Sequence, residues 1–575
     1  MTITSIRACV APEAIATVTR LFNGTEHDIL CELLQNARRA GATRVDITSL
    51  ISDGVHWLVV GDDGKGIDDP QKLVSLGASG WCDAVRRSED PAGMGVFALA
   101  GRHVHITSAT ETESFAIEIT PDAWTGECDI AVTPANAVSG TQIRFEISGD
   151  RTSDISRTIA AVAHFYPLPV WFNGVEQLRE DFLKSAKRVA NYGGVRIGVF
   201  ASKPHHFEDR RKVNVNFIGV TLFHALPTLA ETFGRHWSVR LDIVEAPQLK
   251  LVLPARKELV RDASLAALLE QCITEIYAAI ACEAEHSLSY DAWAQASARG
   301  VALPVANAKL VPWTPPLADP YHGERGEPAP ILQNAVILAP VDTYAGQMIA
   351  RSQSVAPTCR ALTFYEPQAA FVGYDWYDGL PRVALAHIII KTGDTTLTLE
   401  PGVCDILPAA RPDTICLSFS CEGGDAPLNL LSDVYLGSPV DYYCSPHEII
   451  ISVTKSAAID PNDLADLLEN AGFCPSDEVD HDSTETQQAR FAADALEHAY
   501  YVLEGAEAAQ LARIRLEFDA HVRWHVPPKQ RLTLRYDEYG VTAGFSSVPS
   551  SLYQRCAASL HAMRSEWASH ARRLR

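Results

Sequence analysis

The sequence predicts a multidomain α/β protein of the α+β kind, and three observations carry that reading. A chain of 575 residues is too long to fold around one hydrophobic core and implies three or four domains. Up to about residue 300, apolar runs of strand length alternate with amphipathic helices of 3.6-residue period. Beyond that point short strands separated by turn signals dominate, and helical periodicity returns after Asp460-Pro461. The apolar fraction of 47% is ordinary for a globular chain.

Taken in order, residues 1–22 begin with a strand-like piece and a helix. Residues 28–40 (DILCELLQNARRA) place Ile29, Leu30, Leu33, Leu34 and Ala37 at helical spacing, with Gly41 as the natural C-cap. Glu32 and Asn36, four apart, project from one edge of that apolar stripe, where a carboxylate and an amide can serve a water and a metal. Residues 44–49 and 57–60 read as strands. The second runs into Val59-Val60-Gly61-Asp62-Asp63-Gly64-Lys65-Gly66-Ile67, a buried strand end feeding a tight turn. There Gly64 and Gly66 supply positive φ and let backbone approach a ligand, and Asp62 is a fixed acceptor suited to the exocyclic amino group of a purine. An ordinary strand-to-turn junction uses the same residue types.

Residues 90–100 (DPAGMGVFALA) set Gly93, Met94, Gly95 and Val96 at the entrance of a helix, where free N–H groups and the positive dipole end suit phosphate. Residues 140–145 (GTQIRF) open an alternating strand with a hydroxyl, Thr141, near its start. A helix over 155–165 follows, then residues 167–172, with Asn173-Gly174 as a hairpin turn.

These four elements, in this order, resemble the GHKL ATPase superfamily, which includes gyrase B, the ninety-kilodalton heat-shock chaperones, histidine kinases and MutL. The resemblance covers about the first 150 residues. It implies an N-terminal Bergerat-type nucleotide fold with a mixed sheet, ATP and Mg²⁺ as ligands, and ATP hydrolysis. By that resemblance Glu32 activates the attacking water, Asn36 holds Mg²⁺, and Asp62 reads adenine with Thr141 supporting it. Gly64, Gly66 and Ile67 match the first glycine box, and Gly93, Met94, Gly95 and Val96 the second. Residues 67–92 correspond to the family's mobile lid over ATP. Several members carry Asp where Arg39 stands, so the salt bridge or interface they build there is not carried over.

The nucleotide domain is expected to span residues 1–185, followed by a transducer-like α/β domain over 190–295 with strands at 193–200, 213–222 and 238–244 and a helix at 264–282. Within it, residues 251–260 (LVLPARKELV) resemble the Pro-Ala-Lys-Arg-Glu-Val stretch of MutL-type transducer domains. This implies that Arg256, with Lys257 beside it, reaches the γ-phosphate; an exposed basic loop is the alternative. A Pro-rich linker leads into a β-rich domain over 300–455. Residues 456–575 form a helical region with a hairpin of 514–526 and 532–536 turned at Pro527-Pro528, and a last helix at 551–575.

The layout is closest to MutL-like and heat-shock-chaperone-like N-terminal halves, implying an ATP-driven closing switch with a homodimer through the nucleotide domain and a protein client. The competing reading is a nucleotide-gated binding module with little or no hydrolysis, whose partner docks on residues 300–575. A histidine kinase is disfavoured, because no histidine before Glu32 sits in a phosphoacceptor helix.

A formal charge of −22 argues against a broad nucleic-acid footprint. Thirteen cysteines at irregular spacing with no CxxC pair fit reduced thiols. Cys416, Cys421, Cys444 and His447 resemble a metal set, but an extended strand turns Cys416 and Cys421 to opposite faces. No run of 18 apolar residues and no signal-peptide layout is present, so no membrane span is expected and the expected location is cytoplasmic.

Overall fold

The first described helix forms because both of its ends and one of its faces are encoded locally. In the computed structural model α1 spans Glu26–Arg39, starting two residues before the expected position 28, since Thr25 and Asp28 close a reciprocal capping box. Ile29, Leu30, Leu33, Leu34 and Ala37 are buried, Arg38 and Arg39 occupy the last turn, and Gly41 takes φ +75° just beyond Ala40. The structure describes residues 25–75, 81, 95–125, 128–136, 139–147, 152–203, 213–252, 258–319, 326–355, 362–402, 411–422, 427–438, 445–476, 483–538 and 540–547. Its architecture is mixed α/β, with several multi-strand sheets. It divides into two compact units, Met1–Asn307 with Ala370–Tyr374, and Ala308–Ala369 with Asp375–Arg575.

In the first unit α1 lies on an eight-stranded sheet. The strands are β1 (Val45–Ser52), β2 (Val55–Asp62), β3 (Val104–Ala109), β4 (Ser114–Ile119), β5 (Val132–Pro134), β6 (Gly140–Glu146), β7 (Val170–Phe172) and β8 (Val175–Glu176), in the order β5-β4-β3-β6-β2-β1-β7-β8. Neighbours are antiparallel except β1 and β7, made parallel by the return through α2 (Thr152–Ala163). Asn173 and Gly174, at φ +48° and +81°, make the expected two-residue hairpin. Period-2 alternation separates two faces. Leu58, Val60, Ile106, Ile143 and Phe145 join α1 and the Ile155, Ile159 and Val162 side of α2 in one core. Trp57, His105, Glu118 and Arg144 fall at the opposite parity.

A second mixed sheet follows, made of β9 (Arg188–Tyr192), β10 (Val195–Ser202), β11 (Val215–Phe217), β12 (Val220–Leu222), β13 (Thr228–Ala230) and β14 (His236–Ile243). Its path is β12-β11-β14-β10-β9, with β13 on β14. α3 (Ala263–Ile280), capped by Asp262, packs Leu265, Leu268, Cys272, Ile276 and Tyr277 into that sheet's core, and α4 (Tyr290–Ala298) adds Ala292 and Ala296. Among the described residues α3 is the one helix long and apolar enough to cross a bilayer by length and composition. It also buries Glu275, ion-paired to Arg188 at 2.8 Å. Phe371 and Tyr374 belong to this unit, against Phe233 and Tyr290 respectively.

The second unit opens with the short pair β15 (Lys309–Leu310) and β16 (Ala329–Pro330). Its main sheet runs β18-β17-β19-β21-β22, with β20 on β19, from β17 (Ala335–Leu338), β18 (Thr363–Tyr365), β19 (Arg382–Thr392), β20 (Thr395–Leu399), β21 (Thr414–Cys421) and β22 (Leu428–Ser432). α5 (Thr343–Val355) and the hairpin of β23 (Val434–Gly437) and β24 (Ile450–Val453) share its core with α6 (Pro461–Gly472) and α7 (Thr484–Glu504). Arg351 holds Asp433 through Nε at 3.1 Å and Nη2 at 2.9 Å, a bidentate pair with both side chains largely buried.

The expected strand at 514–526 is not formed. Residues there belong mostly to α8 (Ala506–His521), which Gly505 at φ +99° separates from α7. The alternating pattern is overridden because Ala509 and Ala512 bury against α7, while Arg513 pairs with Asp494 and Glu497 of that helix. The hairpin lies further on, β25 (Gln530–Asp537) with β26 (Gly540–Ser547).

Leu417 is fully buried at the centre of the main sheet of the second unit. Leu417→Ala is expected to destabilise that unit by about 2–5 kcal/mol, read as an earlier urea transition; an unchanged midpoint would contradict the core described.

Candidate functional site

Three residues far apart in sequence, two of them predicted, meet through sheet register. Asp62 at the end of β2 faces Thr141 on β6, and Thr141 faces Ser108 on β3, so the three side chains form one row on the α1 side of the sheet. Ser108 is fully buried and Thr141 nearly so, and their hydroxyls lie 3.0 Å apart. Ile67 N donates to Ser108 Oγ at 2.9 Å, tying the glycine turn back to this row.

Asp62 Oδ1 accepts from Gly64 N at 2.9 Å, and the Thr141 backbone amide also donates to its carboxylate. Burial pushes the Asp62 pKa above the ordinary range, the Asp63 charge adds to this, and the two amides only partly offset it. Asp63 points the other way. Its burial works against ionisation, but hydrogen bonds from the Thr43 hydroxyl and amide and from the Arg44 amide outweigh it and lower its pKa.

The two glycines of this turn have separate structural reasons. Gly66 adopts φ +74°, and a Cβ there would lie 2.1 Å from Ala109 O. Gly64, expected to supply positive φ, does not. It is required because a Cβ would meet the Ala40 Cβ at 2.7 Å and Asp62 Oδ1 at 2.8 Å. The close approach is therefore to the end of α1, and Lys65 N donates to Ala40 O at 3.0 Å across the same contact.

Glu32 and Asn36 are half-buried on the helix so anchored. Asn36 Oδ1 accepts from Arg39 Nη1 at 3.4 Å. Between them Gln35 is buried and donates through Nε2 to Ile218 O, in the β11–β12 turn, at 2.5 Å. Tyr166, after α2, donates to Leu34 O at 2.6 Å, and burial raises its phenol pKa, so the donor proton is retained. Gly219 sits where a Cβ would be 2.7 Å from Tyr166 Cδ2.

The second glycine box is described in part. Gly93 and Met94 lie outside the described residues; Gly95 and Val96 begin a 3₁₀ turn, Gly95–Leu99, where an α-helix was expected. Phe97 and Leu99 of that turn are buried in the same core as α1. Of the expected lid, Gln71–Val74 is a helical turn and most of the remainder, residues 76–80 and 82–92, lies outside the described residues, as do Arg256 and Lys257. The described flanks of the Arg256 segment are fastened together, Leu251 bridging Leu259 and Val252 N donating to Glu258 O at 2.8 Å.

Sequence reading missed Ser108 and Tyr166. Ser108 had a signal, a hydroxyl at an inward position of the alternating strand Val104–Ala109. Cys416 and Cys421 sit at opposite parity in β21, Cys444 lies outside the described residues, and no metal-binding group among the described residues includes His447.

No protein-family model and no curated protein matches this chain.

The raised Asp62 pKa fixes the sign of a pH effect. Its contribution to stability is fully present below the unfolded carboxylate value, about 4, and is lost as pH rises through the higher folded value. Wild type should therefore gain stability relative to Asp62→Asn as pH falls from 7 toward 4, measured by urea denaturation without nucleotide. A pH-independent difference would remove burial as the dominant influence on this carboxyl.

Proposed function

We propose that the N-terminal part of the first unit is a GHKL-type switch, built on a Bergerat-type nucleotide fold, that binds and hydrolyses ATP. The observation that carries this reading is the junction of Gly64 with Ala40. It brings the half-buried Asp62 carboxyl to the helix that bears Glu32 and Asn36. An acceptor for a base and a carboxylate–amide pair for the phosphate end then belong to one site.

The residues suit those ligands. Asp62, held by two backbone amides and partly desolvated, offers its carboxylate to the adenine amino group, with the Thr141–Ser108 hydroxyl pair beside it. Asn36 offers a hard amide oxygen of the kind Mg²⁺ takes alongside phosphate oxygens and water. When bound, Mg²⁺ supplies charge neutralisation to the phosphates. Glu32, one turn from Asn36, orients a water toward the γ-phosphorus and takes its proton as the bond to the leaving phosphate breaks. Gly93, Gly95 and the lid enclose the phosphates, and Arg256 or Lys257 senses the terminal one. Closure joins two copies through this domain and acts on a protein client.

Glu32→Ala is expected to abolish turnover while leaving Mg-ATP affinity nearly unchanged, measured by steady-state hydrolysis and calorimetry on one preparation. Wild-type protein that binds ATP without turnover would favour a nucleotide-gated binding module instead.

Asp62→Ala should weaken ATP binding by about 1–3 kcal/mol, because the adenine donor loses its acceptor, and GTP should bind the native protein poorly. Equal affinities for ATP and GTP would overturn the assignment of Asp62.

A further inference from the structure

The face of the first sheet opposite Asp62 carries a second group of ligand-type side chains. His103 immediately precedes β3, His105 lies two residues on and so projects to the same side, and Glu118 stands directly opposite His105 on β4. His103 Nε2 is 2.6 Å from Glu118 Oε1, His105 Nε2 is 3.8 Å from the same oxygen, and one ligand atom from each residue falls within 4.8 Å of the others. The imidazole centroids are 4.8 Å apart, with 31° between their planes.

We propose that His103, His105 and Glu118 bind a divalent transition ion of the Zn²⁺ class. Tetrahedral coordination at zinc–nitrogen and zinc–oxygen distances near 2.0–2.1 Å places ligand atoms about 3.3 Å apart. The observed separations bracket that value, and small ring rotations on a fixed strand pair reach it. Two imidazoles and one carboxylate select a borderline ion over Mg²⁺ or Ca²⁺, which take oxygen.

The backbone platform is firm, since β3 is hydrogen-bonded on both sides, to β4 and β6. Trp57, only 7% exposed, walls the group, with its ring centroid 5.5 Å from that of His103 and 5.6 Å from that of His105. Glu118 is more than half exposed, which leaves the remaining coordination position to water or an incoming donor. Arg144, opposite His105 on β6, is the cation that opposes metal binding; its guanidinium stacks over Trp57 at 4.3 Å. A surface Glu–His pair is the simpler reading, but it employs one imidazole at hydrogen-bond distance and leaves His105 beyond it. The ion bridges β3 and β4 and requires no nucleotide.

The test uses the full chain, stripped with EDTA and reloaded with Zn²⁺ without nucleotide. Native protein should retain one more Zn²⁺ after gel filtration than the double variant His103→Ala, His105→Ala, and Zn²⁺ should raise the melting temperature of the native protein only. Mg²⁺ should do neither. Glu118→Gln, which preserves shape, should lose the same equivalent. Co²⁺ in the native protein should give a visible spectrum of nitrogen and oxygen ligands, which serves if the double variant fails to fold. Equal Zn²⁺ retention in native and variant proteins, or a thiolate charge-transfer band for Co²⁺, would overturn the site.

Discussion

The turn after Asp62 presses on the end of α1 so closely that any side chain at Gly64 would collide with Ala40. The rest of the site depends on that contact. It fixes the height of α1 along the sheet, and the hydrogen bond from Lys65 N to Ala40 O fixes its rotation. Register does the remainder, because β2, β6 and β3 align Asp62, Thr141 and Ser108 in one row without any side chain having to reach. Asp62 lies at the foot of an apolar face, which is why its carboxyl is desolvated and its neighbour Asp63, turned outward, is not held in the same way.

A single sheet thus presents two chemistries separated by the thickness of its backbone. On the helix side Leu58, Val60, Ile106 and Ile143 enclose polar groups that are few and individually satisfied. On the other side Trp57, Arg144, His103, His105 and Glu118 cluster around one indole. Strand alternation produces both from the same strands, and β3 contributes to each, with Ser108 inward and His105 outward.

Much of this was legible in the sequence where a signal was local. The α1 stripe, the Asp62 strand end, the Asn173-Gly174 hairpin, the Asp460-Pro461 helix start and the apolar helix at Ala263–Ile280 each depend on residues within a few positions of one another. What escaped depends on partners far along the chain. The need for glycine at position 64 comes from Ala40, the value of Ser108 from Thr141, and the helical state of residues 514–521 from the packing of their helix on α7. The pattern around Ile514 satisfies a strand as well as a helix, and the helix is the state that buries Ala509 and Ala512 and pairs Arg513 with acidic residues of α7.

Gln35 gives α1 a second allegiance. Its amide holds the carbonyl of Ile218, a β-branched residue kept at φ +51°, in a left-handed state that such side chains rarely occupy. Tyr166 grips the same helix at Leu34 O and abuts Gly219, the next residue of the turn. The helix bearing Glu32 and Asn36 is therefore joined directly to the second sheet at a turn whose backbone is strained. A displacement of α1 would break the Gln35 and Tyr166 hydrogen bonds unless the β11–β12 turn and the segment after α2 moved with it.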